Sequence, residues 1–362
     1  MKSLAYDSRP KYLAIRQRLL WFLLVSTILP VLTVGVLSYC GYRRAIVDKI
    51  TQYSLAQLTQ TVANVQLKLA EFENISVRLF INKEFNNTLS GYVNAGGAGI
   101  ATAPKAVEAH FNEYLISNPD IFGFLFCNER DEQRSIAIVK DHQPEFQALL
   151  RQFKRQTAYR GILRAGGGIV WSSAIKINRG HFVILGRHIK ETGTGVPLGI
   201  LAIIVDEEKI DRLTNLTIYN RLNIAFDKLD HYSLVINNGG EVVSSPFKED
   251  IGKKVHAIMK DSRPLASIFQ PVSDRDYGSE VNQGSFLTEV NHKQTLVTYK
   301  TISSQIGVGG RSGWHLLSLS PTSYFYEDVW PIGLSTLLLG LCFAVAAIGV
   351  SFYLSWSIGK MM

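Results

Sequence analysis

The sequence predicts an α+β protein in which a long N-terminal helix carries two tandem antiparallel sheet modules, with a membrane-spanning helix on either side. Three observations lead to this architecture. Two long apolar runs without charge lie near the two ends of the 362-residue chain. Helical periodicity follows the first run without a break, and strand patterns separated by turn residues fill the rest of the chain.

The first apolar run covers residues 19–42 and contains no charged side chain. It exceeds the ~20 residues that a helix needs to cross a bilayer, and it is too long for the ~7–15-residue core of a cleaved signal peptide. Residues 1–18 carry five basic side chains against one acid, Asp7. Because basic residues favour the cytoplasmic side, we expect a cytoplasmic N-terminus and an extracellular segment over residues 43–328.

The second apolar run covers residues 329–358 and is also uncharged. It is predicted to be the second transmembrane helix. Residues 359–362 follow it, and we expect them to begin a cytoplasmic linker. The output of the molecule is then expected in a continuation of the chain beyond Met362.

Charge, cysteines and histidines limit the function classes. The formal net charge is +8, but the segment between the apolar runs has no basic stretch with interleaved aromatic residues, so nucleic acid is not an expected partner. Cys127 stands alone in that segment and cannot form an intrachain disulfide there. The closest histidines, His181 and His188, are seven positions apart on a predicted strand and face opposite sides, so no metal site is expected.

Residues 43–90 form the predicted stalk helix. Apolar side chains recur there at steps of mostly three and four, which is the spacing of one helix face; they are Ile46, Ile50, Tyr53, Leu58, Val62, Val65, Leu69, Phe72, Ile75 and Leu79. This helix can pack on a sheet as a core helix, or it can be a stalk for dimerisation and signalling. The two roles are compatible with each other.

Residues 91–216 form the predicted membrane-distal module. From Ile121 onward we expect five strands, in the segments IFGFLFCNE, RSIAIVK, ILRAGGGIVWSSAIKI, HFVILGRHI and PLGILAIIVD, and one helix over residues 145–156. Asp206 closes the last strand and opens a short helix over residues 207–216. An acid at this position caps free backbone donors and suits the helix dipole.

Residues 217–328 form the predicted membrane-proximal module. The sequence NNGG at 237–240 is a strong hairpin signal. Two hairpins and a closing strand are expected, over residues 232–244, 285–301 and 315–320. The repeated strand–turn–strand pattern suggests that the two modules are related.

Ligand binding is the chemistry that remains after the enzymatic options are considered. No catalytic constellation occurs, and the glycine-rich residues 307–313 precede a strand instead of the helix that a phosphate-binding loop needs. A ligand pocket needs apolar and aromatic walls with a few converging polar groups. The first sheet module offers both, and the predicted ligand-binding residues are Phe124, Phe126, Trp171, Arg187 and Asp206.

Most of these residues also have an ordinary structural explanation. Phe122, Phe124 and Phe126 alternate along one strand and share one face, which can be a pocket or simply core. Trp171 follows three glycines that let backbone come close, and its side chain is amphipathic. Arg187 can meet an acidic ligand or extend from a solvent face.

Two segments carry a resemblance to a known family. The first is RLLWFLLVSTILPVLTVGVLSY with the amphipathic helix after it, and the second is SGWHLLSLSPTSYFYED before the second apolar run. Together they make the chain similar, over essentially its whole length, to YesM-like sensor histidine kinases. The resemblance implies a double Cache (dCache) ectodomain, which is two PAS-like units on a long N-terminal helix, with the ligand in the membrane-distal unit.

The resemblance also bears on the ligand. Asp206 stands where Cache domains commonly carry an aspartate, and Trp171 lies near the aromatic positions of the amino-acid-binding subset. Ile169 occupies the place of that subset's arginine. A saccharide-derived signal, or contact with an extracellular solute-binding protein, therefore fits the family better than an amino acid.

The resemblance implies the sensor half of a two-component histidine kinase that acts as a homodimer in the cell membrane. ATP, Mg²⁺ and the response regulator would engage a part beyond Met362, after a HAMP linker, so these residues would hold no cofactor and no catalytic residue. A membrane-bound AraC-type regulator, a diguanylate cyclase and a chemoreceptor are alternatives, because all of them reuse such ectodomains. An adhesion or assembly protein is the non-signalling alternative.

Overall fold

The computed structural model describes residues 9–94, 103–140, 146–177, 180–216, 231–265, 283–303, 311–323 and 330–361. The predicted boundary between the stalk and the distal module, at residues 90–91, lies within the described residues, whereas residues 217–230 at the start of the predicted proximal module and residues 307–310 of the glycine-rich stretch 307–313 lie outside them. The described residues form two compact units. One belongs to Met1–Gln52 and Thr322–Met362, and the other to Tyr53–Pro321.

The described residues contain seven α-helices and eleven strands, besides four short 3-10 helices. The helices are α1 (Arg9–Ile81), α2 (Lys83–Asn94), α3 (Ala103–Ser117), α4 (Phe146–Arg155), α5 (Thr157–Arg164), α6 (Glu207–Thr214) and α7 (Trp330–Met361). The strands are β1 (Ile121–Cys127), β2 (Ile136–Val139), β3 (Ile169–Trp171), β4 (Ile175–Ile177), β5 (Gly180–Lys190), β6 (Pro197–Asp206), β7 (Tyr232–Asn237), β8 (Val242–Ser244), β9 (Gln283–Val290), β10 (Lys293–Ser303) and β11 (Arg311–Pro321). The prediction of a long N-terminal helix with two antiparallel sheets is confirmed.

The first unit is helical wherever it is described at length. It contains α7 and the first part of α1, with Pro30 inside the helix. Large apolar side chains such as Phe22 and Leu339 are exposed in it. Judged on the described residues alone, no helix is both long enough and apolar enough to cross a membrane.

The distal sheet has six antiparallel strands in the order β2-β1-β6-β5-β3, with β4 also paired to β5. Its long central strands are almost continuously apolar because both of their faces are covered. One face packs against α1, α2 and α3. The other face packs against α4 and α5, through side chains such as Leu150, Phe153 and Ile162.

The proximal sheet has five antiparallel strands in the order β8-β7-β11-β10-β9. The predicted hairpin at 291–292 joins β9 to β10, and both Asn291 and His292 have positive φ, as a tight primed turn requires. One face of the sheet contributes to the core that contains α1, and the other packs over Val255, Met259 and Leu265.

The segment ILRAGGGIVWSSAIKI does not form the single predicted strand. Its first residues complete α5, a helix that was not predicted and that follows α4, which matches the helix predicted over 145–156. Gly166 and Gly167 follow with positive φ, the backbone conformation that commonly terminates a helix. The remainder forms two short strands, β3 and β4, and the distal sheet therefore has six strands instead of five.

Candidate functional site

The two faces of the distal sheet divide the predicted site residues. Phe124 and Phe126 belong to the core that contains α1, whereas Phe122 packs with the cluster under α4 and α5. The prediction that all three phenylalanines share one face is therefore wrong for Phe122. A register irregularity between Ile121 and Gly123 is the cause, because an extra residue in a strand inverts the alternation of side chains.

Phe124 and Phe126 are completely buried between the sheet and the helices. The ring of Phe124 stacks on that of Phe111 from α3, with centroids 5.1 Å apart and planes 3° from parallel. Tyr114 of the same helix meets Phe124 edge-on at 6.4 Å. These contacts place the two phenylalanines in a packed core that excludes solvent.

Trp171 connects three elements. Its indole Nε1 donates a hydrogen bond of 3.0 Å to Oε1 of Glu73, a buried acid on α1. Its ring lies 6.4 Å from Phe72 of α1 and 5.2 Å from Trp314 of β11 in the proximal sheet. Movement of α1 against either sheet would therefore change the contacts of the Trp171 side chain.

Arg187 is buried beside the same helix, with only 6% of the residue exposed. Its guanidinium carbon lies 5.1 Å from the centroid of the Phe80 ring, and its Nε has no hydrogen-bond partner among the described residues. Burial lowers the pKa of Arg187, and the Glu73 carboxylate opposes that shift. The alternative in which Arg187 extends from a solvent face is wrong.

Ser76 completes what we call the buried polar cluster, namely Glu73, Ser76, Trp171 and Arg187. It lies three residues after Glu73 and four before Phe80, so these side chains are neighbours on one face of α1. The Ser76 hydroxyl is fully buried and has no partner among the described residues. Two orphaned polar atoms thus lie in one layer between α1 and the distal sheet, where a polar group from a ligand or water can satisfy them.

Asp206 does not join this cluster. It ends β6 opposite Phe182, and alternation along the strand puts it on the face under α4 and α5. Its Oδ1 accepts a 3.0 Å hydrogen bond from the backbone N–H of Glu208, so it caps α6 as predicted. Four of the five predicted ligand-binding residues therefore share one face of the sheet, and Asp206 lies on the other.

A second polar cluster, which sequence reasoning missed, joins the two modules. Lys248 lies 2.7 Å from Glu207 Oε2 and 2.8 Å from Asp211 Oδ2, and both carboxylates are buried. The backbone N–H of Ser245 also donates to Glu207. Burial raises the pKa of Glu207 against the effect of Lys248, and burial lowers the pKa of Lys248 but is outweighed by the two carboxylates, which raise it.

The signals for the missed residues differ. Glu73 lies on the apolar face of the stalk helix, between Phe72 and Ile75 in the sequence. The helical periodicity alone therefore predicts a buried acid at this position. Asp211 lies four residues after Glu207 and shares a helix face with it, but nothing in the sequence links this pair to Lys248.

Histidine and cysteine chemistry is limited in the described residues. His188 Nε2 lies 3.0 Å from Glu129 Oε1 without meeting hydrogen-bond geometry. Burial lowers the pKa of His181 and raises that of Cys127 to about 12, which leaves the thiol unreactive. No group of three or more metal-ligating side chains occurs within the described ranges.

Comparison with known proteins gives matches at the level of structure. No family model matches the chain, and no curated protein matches it in sequence. The periplasmic sensory domain of the Campylobacter jejuni chemoreceptor Tlp1 is similar in fold, with a TM-score of 0.54 and 13% identity over 78% of this chain and 98% of that chain. The protein therefore has the fold of a bacterial sensory domain.

Two weaker matches are of the same kind. The ligand-binding domain of the Pseudomonas aeruginosa amino-acid chemoreceptor PctB, in complex with L-Arg, has a TM-score of 0.49 and 11% identity over 77% of this chain and 98% of that chain. The extracellular domain of a protein designated histidine kinase mmHK1S-Z3 has a TM-score of 0.44 and 15% identity over 75% of this chain and 97% of that chain.

Proposed function

We propose that this protein is the ligand-sensing part of a bacterial transmembrane signal receptor. The observation that carries the proposal is the fold, in which two antiparallel sheets share one long N-terminal helix and which is similar overall to the sensory domain of the chemoreceptor Tlp1. In such a design a ligand that binds one arrangement of the distal module better than another shifts the population between two states.

The membrane topology is part of this proposal. Residues 19–42 and 329–358 are uncharged, and each run lies almost entirely within one helix of the structure, α1 or α7. We propose that both runs cross the cell membrane, with the N-terminus in the cytoplasm and residues 43–328 outside. The lipid bilayer is then a partner of the first unit.

The output is proposed from the resemblance to YesM-like kinases. The sensor would act as a homodimer and control, through a HAMP linker, a histidine kinase that uses ATP and Mg²⁺ and phosphorylates a response regulator. A chemoreceptor is the second candidate, because the fold of this ectodomain is similar to that of a chemoreceptor sensory domain. A diguanylate cyclase and an AraC-type regulator are the alternatives that the resemblance leaves open. The codons that follow Met362 distinguish these outputs directly.

The buried polar cluster is the proposed site of ligand action. A saccharide has an apolar ring face and a rim of hydroxyls, so it can pack on Trp171 and hydrogen-bond Arg187 and Ser76, whose orphaned atoms favour an added polar partner. The ligand can arrive free or on an extracellular solute-binding protein. Phe124 and Phe126 belong to the core on the same face of the sheet as this site, and Asp206 fixes the start of α6.

A thermal-unfolding screen of the full chain in detergent micelles tests the proposal. The probes are one panel of neutral and acidic mono- and disaccharides and a second panel of amino acids. A saccharide present at about 100 times its Kd is expected to add roughly 2.7 kcal/mol to the free energy of unfolding. No stabilisation by either panel contradicts the sensor function, and stabilisation by amino acids alone contradicts the saccharide class.

Two variants then locate the site. Trp171→Ala and Arg187→Met are each expected to weaken binding of the stabilising saccharide at least tenfold, since both remove a proposed contact. Arg263→Met is the matched control, because the Arg263 side chain is 89% exposed and pairs with Asp261 away from the cluster. If the two variants bind as tightly as the control, the ligand acts elsewhere.

A further inference from the structure

The helices α4 and α5 carry basic side chains and no acid. Five of the chain's 38 lysines and arginines lie within residues 146–164, which contain no aspartate or glutamate; they are Arg151, Lys154, Arg155, Arg160 and Arg164. The two acids just before α4, Asp141 and Glu145, still leave three basic residues in excess. Protein surfaces ordinarily mix charges of both signs, so this concentration of one sign needs a separate explanation.

The arginines lie on the outer side of this helix pair. Phe153 and Ile162 pack the two helices onto one face of the distal sheet, and the rings of Phe153 and Tyr159 meet between them at 5.5 Å. Lys154 is half-buried and lies 3.2 Å from Glu132. The exposed basic residues form what we call the arginine surface, namely Arg151, Arg155, Arg160 and Arg164. They make two pairs, each four positions apart on one helix face and roughly 6 Å apart along its axis.

Like charges at this spacing destabilise a helix, whereas other exposed basic residues of the protein lie beside an acid. On α6, Arg212 pairs with Glu208 four positions earlier at 2.6 Å. In the proximal module, Lys260 lies 2.6 Å from Glu289. Three residues of the arginine surface form no ion pair with any residue that the structure describes, namely Arg155, Arg160 and Arg164. Their repulsion is relieved when an anion from outside the chain binds among them.

The chemistry of the surface limits what that anion can be. None of the large apolar side chains at residues 149–164 is exposed, so the surface lacks the apolar anchors that usually hold a folded protein partner. Phe153 and Tyr159 pack inward and offer no exposed ring on which a nucleic-acid base could stack. A single exposed ion pair is weak, so a small anion would bind poorly. A flexible chain with many anionic groups can contact several arginines at once.

We propose that the arginine surface binds a linear polyanion, a polymer that carries a carboxylate or a phosphate on each repeat. The planar guanidinium group matches both of these anions through paired hydrogen bonds. The surface lies on the face of the distal sheet opposite to the buried polar cluster, because α4 and α5 cover one face and α1 covers the other. Polymer binding is therefore separate from the proposed action of a small ligand at that cluster.

A local fluorescent reporter on the full chain in neutral detergent micelles tests this proposal. Gln152→Cys, an exposed position on α4, carries the fluorophore in a Cys40→Ser, Cys342→Ser background, which leaves the buried Cys127 as the remaining native thiol. Ile116→Cys on α3, where the native residue is 84% exposed, is the matched reporter away from the surface.

The probes are polygalacturonate and inorganic polyphosphate, with galacturonate and orthophosphate as their monomers. At least one polymer is expected to bind at the Gln152→Cys reporter at least tenfold more tightly than its monomer at equal repeat concentration, and the polymer that does so identifies the anion. Binding should weaken at least threefold from about 0.01 M to about 0.1 M salt, because the Debye length shortens from about 30 Å to about 10 Å.

Three combined variants then assign the binding to the arginines. Glutamine in place of the arginines at 155, 160 and 164 is expected to weaken binding at least tenfold. Glutamine at 253, 260 and 263 removes the same charge from exposed positions of the proximal module and should change binding less than twofold. Lysine at 155, 160 and 164 keeps the charge and should bind within about threefold of the native protein, which separates loss of charge from loss of folding.

Four results overturn the proposal: equal losses in the two glutamine variants, equal losses with lysine and with glutamine at 155, 160 and 164, equal responses at the two reporters, and polymers that bind no better than their monomers. Tighter binding of ovalbumin, a folded acidic protein, than of either polymer also overturns it. Each of these results leaves the sensor function standing, because the saccharide screen concerns the opposite face of the distal sheet.

Discussion

The two sheet modules are built alike around α1 but differ in how their buried polar groups are satisfied. In the proximal module, Ser54 of α1 and Thr298 of β10 form a hydrogen bond of 2.9 Å, and His315 is bonded through both ring nitrogens to Thr301 and Asn238. In the distal module, Ser76 Oγ and Arg187 Nε are buried in the corresponding layer without partners among the described residues.

This difference gives the proximal layer a structural role and lets the distal layer respond to a ligand. Paired polar groups such as Ser54 and Thr298 favour one arrangement, because a displacement of α1 breaks their hydrogen bond in a buried layer. An orphaned donor or acceptor costs about 1–3 kcal/mol, and a ligand that satisfies it recovers that free energy. The distal layer can therefore contribute to ligand affinity through Ser76 and Arg187, whereas Ser54, Thr298 and His315 in the proximal module already have partners.

The largest expected effect tests whether the distal phenylalanines are core. Phe124→Ala should lower the free energy of unfolding by about 3–5 kcal/mol, as for other fully buried phenylalanines, and Leu317→Ala in the proximal sheet should cost about 2–5 kcal/mol. Both side chains are completely buried. Chemical denaturation measures both, and a loss below about 1 kcal/mol for Phe124→Ala would mean that the site tolerates a vacancy, as a pocket wall does.

The next effect concerns the contact between the modules. Lys248→Met leaves the buried carboxylates of Glu207 and Asp211 without their cation and should cost about 3 kcal/mol. Lys253→Met is the matched control, because Lys253 is exposed and its partner Asp250 in the same segment is only partly buried, and it should cost at most about 1 kcal/mol. Equal losses in denaturation experiments would show that the buried pair is not held by Lys248.

Sequence reasoning reached the fold because the signals for it are local. The helical and strand periodicities, the acid at position 206 and the turn at 291–292 each act over a few residues. The exceptions are also local but depend on backbone geometry. A register irregularity after Ile121 inverts Phe122, and two left-handed glycines after α5 end a helix where a strand was expected.

The candidate site was harder to predict because it depends on contacts between distant segments. Trp171 meets Glu73 across 98 positions of sequence, and Lys248 meets Glu207 across 41. The pairing of β5 with β6 puts Arg187 and Asp206 on opposite faces of the sheet, and the core contacts of each face show which one meets α1. Residue type suggested candidates, and topology decided which of them come together.

Acid should weaken the proximal module through His315. Burial lowers the pKa of His315 to about 4, below its ordinary value of 6.5, so the folded state binds the proton less readily than the unfolded chain. The stability that the fold gains from keeping His315 neutral is complete above pH 6.5 and is lost as the pH falls toward 4. The loss in the free energy of unfolding is at most about 3 kcal/mol. His315→Gln should flatten this part of the pH profile of unfolding. If the variant keeps the same difference in unfolding free energy between pH 7 and pH 4, carboxylates and not His315 cause that difference.

The smallest effect is the most direct test of the contrast between the two layers. Thr298→Val removes one partner of the Ser54 hydrogen bond and should cost about 1 kcal/mol, whereas Ser76→Ala removes a hydroxyl that has no partner and should be neutral or stabilising by up to about 1 kcal/mol. Paired denaturation curves under one condition measure both. If Ser76→Ala costs as much as Thr298→Val, the Ser76 hydroxyl is already satisfied, and the distal layer has no unmet hydrogen bond at that position to offer a ligand.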